Sequence, residues 1–316
     1  MISWVIGRGG LLGRSVEQRL DDLGRTWAPT TSFHWNDQTE FEAEIDQSVS
    51  EFIEQVGSEK WSIHWCAGIG VVSSSLEVLS SEIKKIEIFL SRLSQSSSRF
   101  LHQGVLFYAS SAGGVYAGSK GPPFTEATVP SPIGNYGLQK MQCEALFSRF
   151  TQDFGTSSVL GRIANLYGPS QNWHKGQGVV TTICRSMLLC KPIEIFVPLE
   201  TIRNYIYVDD AACDIANTVS YMSNQDFGGS LIKIIAAEYN SSISELLSES
   251  SRVFWKRPQI VLTRKKNSGV QIVDLRLRST IEISAPRFRY TTLAVGIDRI
   301  RRQLLSELQK GNLVDR

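Results

Sequence analysis

The run Gly7-Arg8-Gly9-Gly10-Leu11-Leu12-Gly13 follows directly on the short, mostly apolar stretch Ile2-Ser3-Trp4-Val5-Ile6 and opens a helical pattern. No other feature constrains the fold as strongly. A first glycine allows a tight turn, a second lets backbone amides approach a pyrophosphate, and a third lets the helix pack closely on the strand. Phosphate oxygens placed there meet free N–H groups and the positive end of the helix dipole. A strand, a glycine turn and a helix in this order predict one half of a doubly wound parallel sheet.

The following sequence repeats the theme. Helical patterns over 13–23, 41–56, 75–93 and 136–154 alternate with strand-like runs over 2–6, 26–30, 61–65, 104–109 and 158–163. Alternation of this kind is the signature of βαβ units. Beyond Gly168-Pro169 the pattern changes: a helix over 177–189, short extended runs over 193–197 and 205–208, and Asp209-Asp210 as a helix start before 211–222. The expected architecture is α/β, with a nucleotide-binding domain over 1–168 plus about 205–237. A smaller mixed α/β lobe takes about 169–204 and 238–316.

Composition excludes several functions. A net charge of +2 and no basic run interleaved with aromatics argue against nucleic acid. Five cysteines without a CxxC pair point to reduced thiols, and with no secretory leader the expected location is the cytoplasm. Four scattered histidines lack metal-ligand spacing, so no metal is expected. No apolar run approaches the ~18 residues of a membrane helix.

The chemistry concentrates in Tyr136 and Lys140. Four apart on a helix, they project from one face, and an ammonium held there favours the phenolate over the phenol. Such a phenolate can take a proton from a sugar or alcohol hydroxyl. The strand ending in Ser110-Ser111 lies upstream and supplies a hydroxyl for a developing oxyanion. Cofactor choice between NAD and NADP stays open. The second strand, Thr26-Trp27-Ala28-Pro29-Thr30, ends without the acidic residue that holds an adenosine ribose. Arg8 in the turn either meets a ribose 2′-phosphate or faces solvent.

Six ordered motifs together resemble the extended short-chain dehydrogenase/reductases, the NAD-dependent sugar-nucleotide epimerase/dehydratase family typified by UDP-glucose/galactose 4-epimerases. They are Gly7, Gly10 and Gly13 in the turn; His64-Trp65-Cys66-Ala67-Gly68; Phe107-Tyr108-Ala109-Ser110-Ser111-Ala112-Gly113-Gly114-Val115-Tyr116; the Tyr136–Lys140 helix; Arg162 through Pro169; and Arg203 through Asp210. The resemblance implies a Rossmann domain with a substrate lobe and a catalytic set of Ser111, Tyr136 and Lys140, with Ser111 preferred over Ser110. It implies cofactor binding by Gly7, Arg8, Gly10, Leu11, Leu12, Gly13, Cys66, Ala67, Gly68, Tyr136 and Lys140. Asn165, Arg203 and Arg264 would bind a nucleotide-sugar substrate together with Ser111, and Gln177, Gly178 and Val179 would line its pocket. A homodimer through helices 75–93 and 136–154 is also implied. The chain departs from the family pattern at Val197-Pro198-Leu199-Glu200 and at Asn204, where an aspartate is usual.

The serine segment separates reactions. Sugar 4,6-dehydratases use an Asp-Glu pair after the catalytic hydroxyl, and Ala112, Gly113 and Gly114 supply no carboxylate. The resulting expectation is an NDP-hexose 4-epimerase working through a transient keto-sugar. The alternative is an NADP-dependent keto-sugar or carbonyl reductase. A non-enzymatic cofactor-binding sensor is the third class, and the intact Tyr136–Lys140 pair speaks against it.

Overall fold

The computed structural model describes residues 1–171, 178–225, 228–263, 272–283 and 289–313. Along the first half run β1 (Ile2–Ile6), α1 (Leu11–Leu23), β2 (Arg25–Trp27), α2 (Gln38–Val56), β3 (Trp61–Trp65), α3 (Leu76–Leu93), α4 (Ser98–His102) and β4 (Gly104–Ser111). Then come α5 (Ala112–Val115), α6 (Asn135–Phe154), β5 (Ser157–Ile163), β6 (Asn165–Tyr167), α7 (Val179–Leu188), β7 (Ile193–Ile195) and β8 (Ile202–Tyr207). The chain continues with α8 (Val208–Ser223), β9 (Ser230–Ile235), β10 (Asn240–Ser242), α9 (Ile243–Phe254), β11 (Ile260–Leu262), β12 (Asp274–Leu275) and α10 (Leu293–Gln309).

Six strands in the order β2-β1-β3-β4-β5-β9, all parallel, form the central sheet. Helices α2, α3 and α6 cover one face over a core rich in aromatics, including Trp4, Phe52, Trp61 and Phe89. Helices α1 and α8 cover the other, through Val16, Leu20, Ile215 and Val219. Strands buried on both faces explain why β1 and β3 read as continuous runs rather than as alternation. The order reverses between β1 and β3, so their C-terminal ends diverge there and open a crevice.

The strand expected over 26–30 stops at Trp27. Pro29 has no N–H to give to a ladder, which ends the pairing early. The run at 205–208 belongs to a second sheet, β10-β8-β12 with β6 beside β8, and not to the central one. Asp209-Asp210 do not cap the next helix; they sit inside its first turn, after Tyr207. Carboxylates there suit the dipole, and the Asp210 carboxylate instead accepts from the backbone N–H (2.6 Å) and hydroxyl (3.0 Å) of Thr291. That bond straps the C-terminal chain to α8. A second strap is Glu126, which accepts from the Ile234 N–H of β9 and from Ser279 and Thr280. The smaller core lies among α7, α9 and α10, with Tyr167, Tyr205 and Tyr207. Among the described residues no helix is long and apolar enough to cross a membrane.

His64, on β3, is fully buried; its Nε2 lies 3.0 Å from the Ser62 hydroxyl, and its Nδ1 has no partner among the described residues. Burial pushes its pKa down to about 3. The unfolded chain therefore takes up a proton near pH 6.5 that the folded chain refuses, and stability falls as pH drops through that window. Replacing His64 by Asn removes this contribution. In urea unfolding at pH 7 and pH 5, the parent should lose about 2 kcal/mol more than H64N between the two pH values.

Candidate active site

The crevice between β1 and β3 begins at the glycine turn. Gly7 has φ +94°, in the left-handed region that side chains rarely adopt. A Cβ on Gly7 would lie 2.5 Å from the Ala67 nitrogen, and one on Gly13 only 2.2 Å from the Gly7 carbonyl oxygen. Helix α1 thus rests backbone-on-backbone against the turn. The turn in turn rests against the loop Cys66-Ala67-Gly68 after β3. Gly10 caps α1 with no side chain, which leaves the first N–H groups of the helix open to the crevice. A dinucleotide pyrophosphate fits this cradle, because bare amides and a helix N-terminus face it with nothing in the way.

Two adjoining cavities share Gly9, Gly10, Cys66 and Gly68. One, of about 570 Å³, runs under the 66–69 loop and is lined by Gly7, Ala67, Trp35, Asn36, Glu82 and Lys140. The other, of about 750 Å³, passes Leu11, Leu12 and Tyr136 and reaches Asn165, Gly178, Val179 and Arg203. The structure therefore brings Gly7, Gly9, Gly10, Leu11 and Leu12 of the turn, together with Tyr136, Lys140, Asn165 and Arg203, onto two adjoining cavities, while Arg8, Gly13 and Ser111 line neither. Arg8 points to Glu17 on α1, with its Nε 3.4 Å from the carboxylate, and is half-exposed. Arg264 and Gln177 lie outside the described residues.

Ser110 and Ser111 separate cleanly. Successive strand residues face opposite sides, and the Ser110 hydroxyl turns to the α6 side, where it donates to Glu144. That carboxylate is paired at 2.7 Å with Arg162, which also donates to the Tyr116 hydroxyl. Ser110 is thus committed to a buried network. The Ser111 hydroxyl is half-buried and accepts from the Gly114 N–H at 3.2 Å, capping the short helix α5.

Gly114 also sets the distance to Tyr136. A Cβ there would stand 3.0 Å from the Tyr136 ring, and one on Gly137 would stand 2.2 Å from the Gly114 carbonyl oxygen. Helix α6 reaches the serine turn only because both positions are bare. The Lys140 ammonium, buried on the same helix, lies 5.6 Å from the centre of the Tyr136 ring. Burial pushes the Cys66 thiol well up, so it stays protonated and contributes shape only.

Arg203 lines the second cavity, yet its guanidinium donates to the carbonyls of Ile202 and Ile272, both at 2.8 Å. Burial lowers its pKa. Asn204 is fully buried; it donates to the Ala237 and Tyr239 carbonyls and accepts from the Ala237 N–H. A carboxylate could not make those donations, so at this position the departure from aspartate ties β8 to the chain after β9. Among the described residues no group of three potential ligands could hold a metal.

The family model described as the NAD dependent epimerase/dehydratase family matches residues 4–219. The chain belongs to that family. Over 121 residues it is 31% identical to the dTDP-4-dehydro-6-deoxyglucose reductase of Escherichia coli, a match covering 38% of either chain. Over 107 residues it is 29% identical to a putative UDP-glucose 4-epimerase of Methanocaldococcus jannaschii, covering 34% of this chain and 35% of that one. The matched stretches thus span little more than a third of these relatives. Among solved structures, the UDP-glucose 4-epimerase of Thermotoga maritima with UDP-glucose has the same fold: TM-score 0.74 at 20% identity, over 98% of this chain and 100% of that one. So does RMD of Pseudomonas aeruginosa complexed with NADPH, with TM-score 0.74 at 16% identity over 97% and 99%.

Some residues of the site are not evident in the sequence. Trp35 and Asn36 fall in a stretch without periodicity, and Glu82 reads as one more polar residue of α3. In the structure, the Glu82 carboxylate accepts from the Ile69 and Gly70 N–H groups and so shapes the loop after β3. Gly114 and Gly137 carry a weak signal, as glycines flanking a helix start.

Replacing Gly13 by Ala forces α1 away from the turn. Calorimetric titration with NADH and NADPH should show both binding at least about tenfold more weakly, as expected when phosphate contacts made by aligned amides are lost.

Proposed function

We propose that this protein is a nucleotide-sugar 4-epimerase that works through a transient keto-sugar. The observation that carries the reading is the 750 Å³ cavity, which joins the glycine turn, Tyr136 and Arg203 and has Glu194 as the one carboxylate among its described lining residues. Glu194 is the exposed residue of β7, between the buried Ile193 and Ile195. Epimerisation at C4 needs a base and a hydroxyl donor; elimination of water needs a further acid and base near the reacting carbon.

Tyr136 takes the proton of the sugar hydroxyl, and Ser111 donates a hydrogen bond to the oxygen as its charge develops. Lys140 keeps a positive charge near the phenolate and holds the cofactor ribose. Gly7 through Gly13 hold the pyrophosphate. The chemistry supplied by a bound nicotinamide is reversible hydride exchange at the carbon whose hydroxyl Tyr136 deprotonates. Arg203 and Asn165, which both line the cavity, hold the nucleotide diphosphate. A dimer would form through the flank of α3 and α6.

Proton NMR of a panel of UDP-, GDP- and dTDP-hexoses incubated with the protein and either dinucleotide tests this reading. Inversion at C4 of at least one sugar is expected, and Tyr136→Phe should lower kcat by about 10²- to 10⁴-fold. No inversion across the panel sinks it.

A keto-sugar reductase is the second reading, favoured by Trp35 and Asn36 on the cofactor cavity after β2, while the carboxylates among its described lining residues, Glu77 and Glu82, come from α3. Under it, Arg8 leaves Glu17 for the 2′-phosphate of NADPH. Arg8→Ala should then weaken NADPH about tenfold while leaving NADH unchanged, the scale of one charge-assisted contact. Equal effects on the two dinucleotides, measured by fluorescence titration, would count against it.

A further inference from the structure

Behind the proposed base, on the face of β4 that meets α6, lies a tyrosine to which neither the sequence reading nor the proposed chemistry gives a task. Tyr108 is 1% exposed, and its ring stacks on Phe147 of α6 with centroids 5.0 Å apart. Stacking alone would be served by phenylalanine. The hydroxyl, however, accepts a hydrogen bond from the Lys140 ammonium at 3.3 Å. A second Lys140 proton goes to the Ala109 carbonyl, also at 3.3 Å. An ammonium has three donors. Two are fixed against β4, and the third remains for the Tyr136 side, where the ring centre is 5.6 Å from the nitrogen.

We propose that Tyr108 is a positioning residue: its hydroxyl anchors the Lys140 ammonium beneath Tyr136 without neutralising the lysine charge. This rests on the reading of Tyr136 as the base. The charge of the partner decides its value. A carboxylate in the same place would hold the lysine more tightly, but its negative charge would oppose the phenolate. A neutral phenol gives direction at no electrostatic cost. Burial drives the Tyr108 phenol far toward its neutral form, with Cys143, Tyr136 and Glu82 acting in the same sense.

The charged and titratable groups around this cluster are few. From α6 come Tyr136, Cys143 and Glu144, the last spoken for by Arg162; from α3 come Glu77, Glu82 and Lys85, and from the loop after β3 Cys66, which line the same cavity as Tyr108 and Lys140. Glu82 is set one step away, bonded to the loop amides and to the Gln139 side-chain amide at 3.3 Å. Tyr108 and the Ala109 carbonyl are therefore the immediate acceptors of Lys140 among the described residues.

The test is Tyr108→Phe, which keeps the stack on Phe147 and removes only the oxygen. Phe147→Leu is the control, because it loosens the same stack and keeps the hydroxyl. Tyrosinate absorbance is titrated in each background, with and without Tyr136→Phe, so that the difference isolates Tyr136 and needs no substrate. In Y108F the midpoint of that difference should move up by about half to one pH unit, and kcat/KM at neutral pH should fall about three- to tenfold. F147L should lower Tm and leave the midpoint where it is. A midpoint unchanged in Y108F, or moved equally in F147L, overturns the positioning role. If Tyr136→Phe leaves C4 inversion intact, the base assignment fails instead, and the tyrosinate midpoint still judges Tyr108.

Discussion

The contact on which the site depends is a place where two helices meet with no side chain between them. Gly137 of α6 sits on the Gly114 carbonyl so closely that a Cβ on Gly137 would collide with that backbone, while one on Gly114 would crowd the Tyr136 ring. Van der Waals repulsion rises steeply at such distances, so any larger residue would lift α6 away from the serine turn. Tyr136 and Lys140 ride on α6, and Ser111 begins α5. Their mutual placement therefore follows from two missing side chains. The same device recurs at the other end of the crevice, where Gly13 sits on the Gly7 carbonyl and Gly7 on Ala67.

Beneath that contact the chain distributes charge with care. A buried ion pair under the serine strand, Glu144 with Arg162, is closed upon itself by Ser110 and Tyr116. Its carboxylate is satisfied and directs no uncompensated negative charge at the base. A buried pair of this kind costs desolvation and returns fixed geometry. Its partner groups span β4, β5 and α6, the three elements that carry the serine, the Arg162 strand and the tyrosine. Next to it, the acceptors of Lys140 among the described residues are neutral, the Tyr108 hydroxyl and the Ala109 carbonyl.

Much of this was readable in advance, and the limits have physical causes. The strands over 61–65 and 158–163 and the helices after them announce themselves by apolar runs and 3.6-residue periodicity, since each is buried across a whole face. The strand over 26–30 misled because β-propensity says nothing about Pro29 ending a ladder. Asp209-Asp210 looked like a cap because Asp favours that position, but tertiary bonding to Thr291 claimed the side chain. The run 205–208 was legible as a strand, yet its sheet was not, because pairing joins residues far apart in the chain. Asn204 read only as a departure from the usual aspartate, and the structure shows a buried amide tying β8 to the chain after β9.

The sequence by itself determined the glycine turn and the Tyr136–Lys140 face, because each depends on residues within one or two helical turns of one another, and the order of six such local motifs determined the family. The tertiary structure alone tied the Ser110 hydroxyl to Glu144 and left the Ser111 hydroxyl as the acceptor of the Gly114 N–H. It also turned Arg8 toward Glu17 and set Tyr108 against Lys140. Those outcomes depend on which side of a strand meets which helix and on how closely backbones approach. Distances of that kind are fixed by the packing of segments that lie tens of residues apart, and no local pattern encodes them.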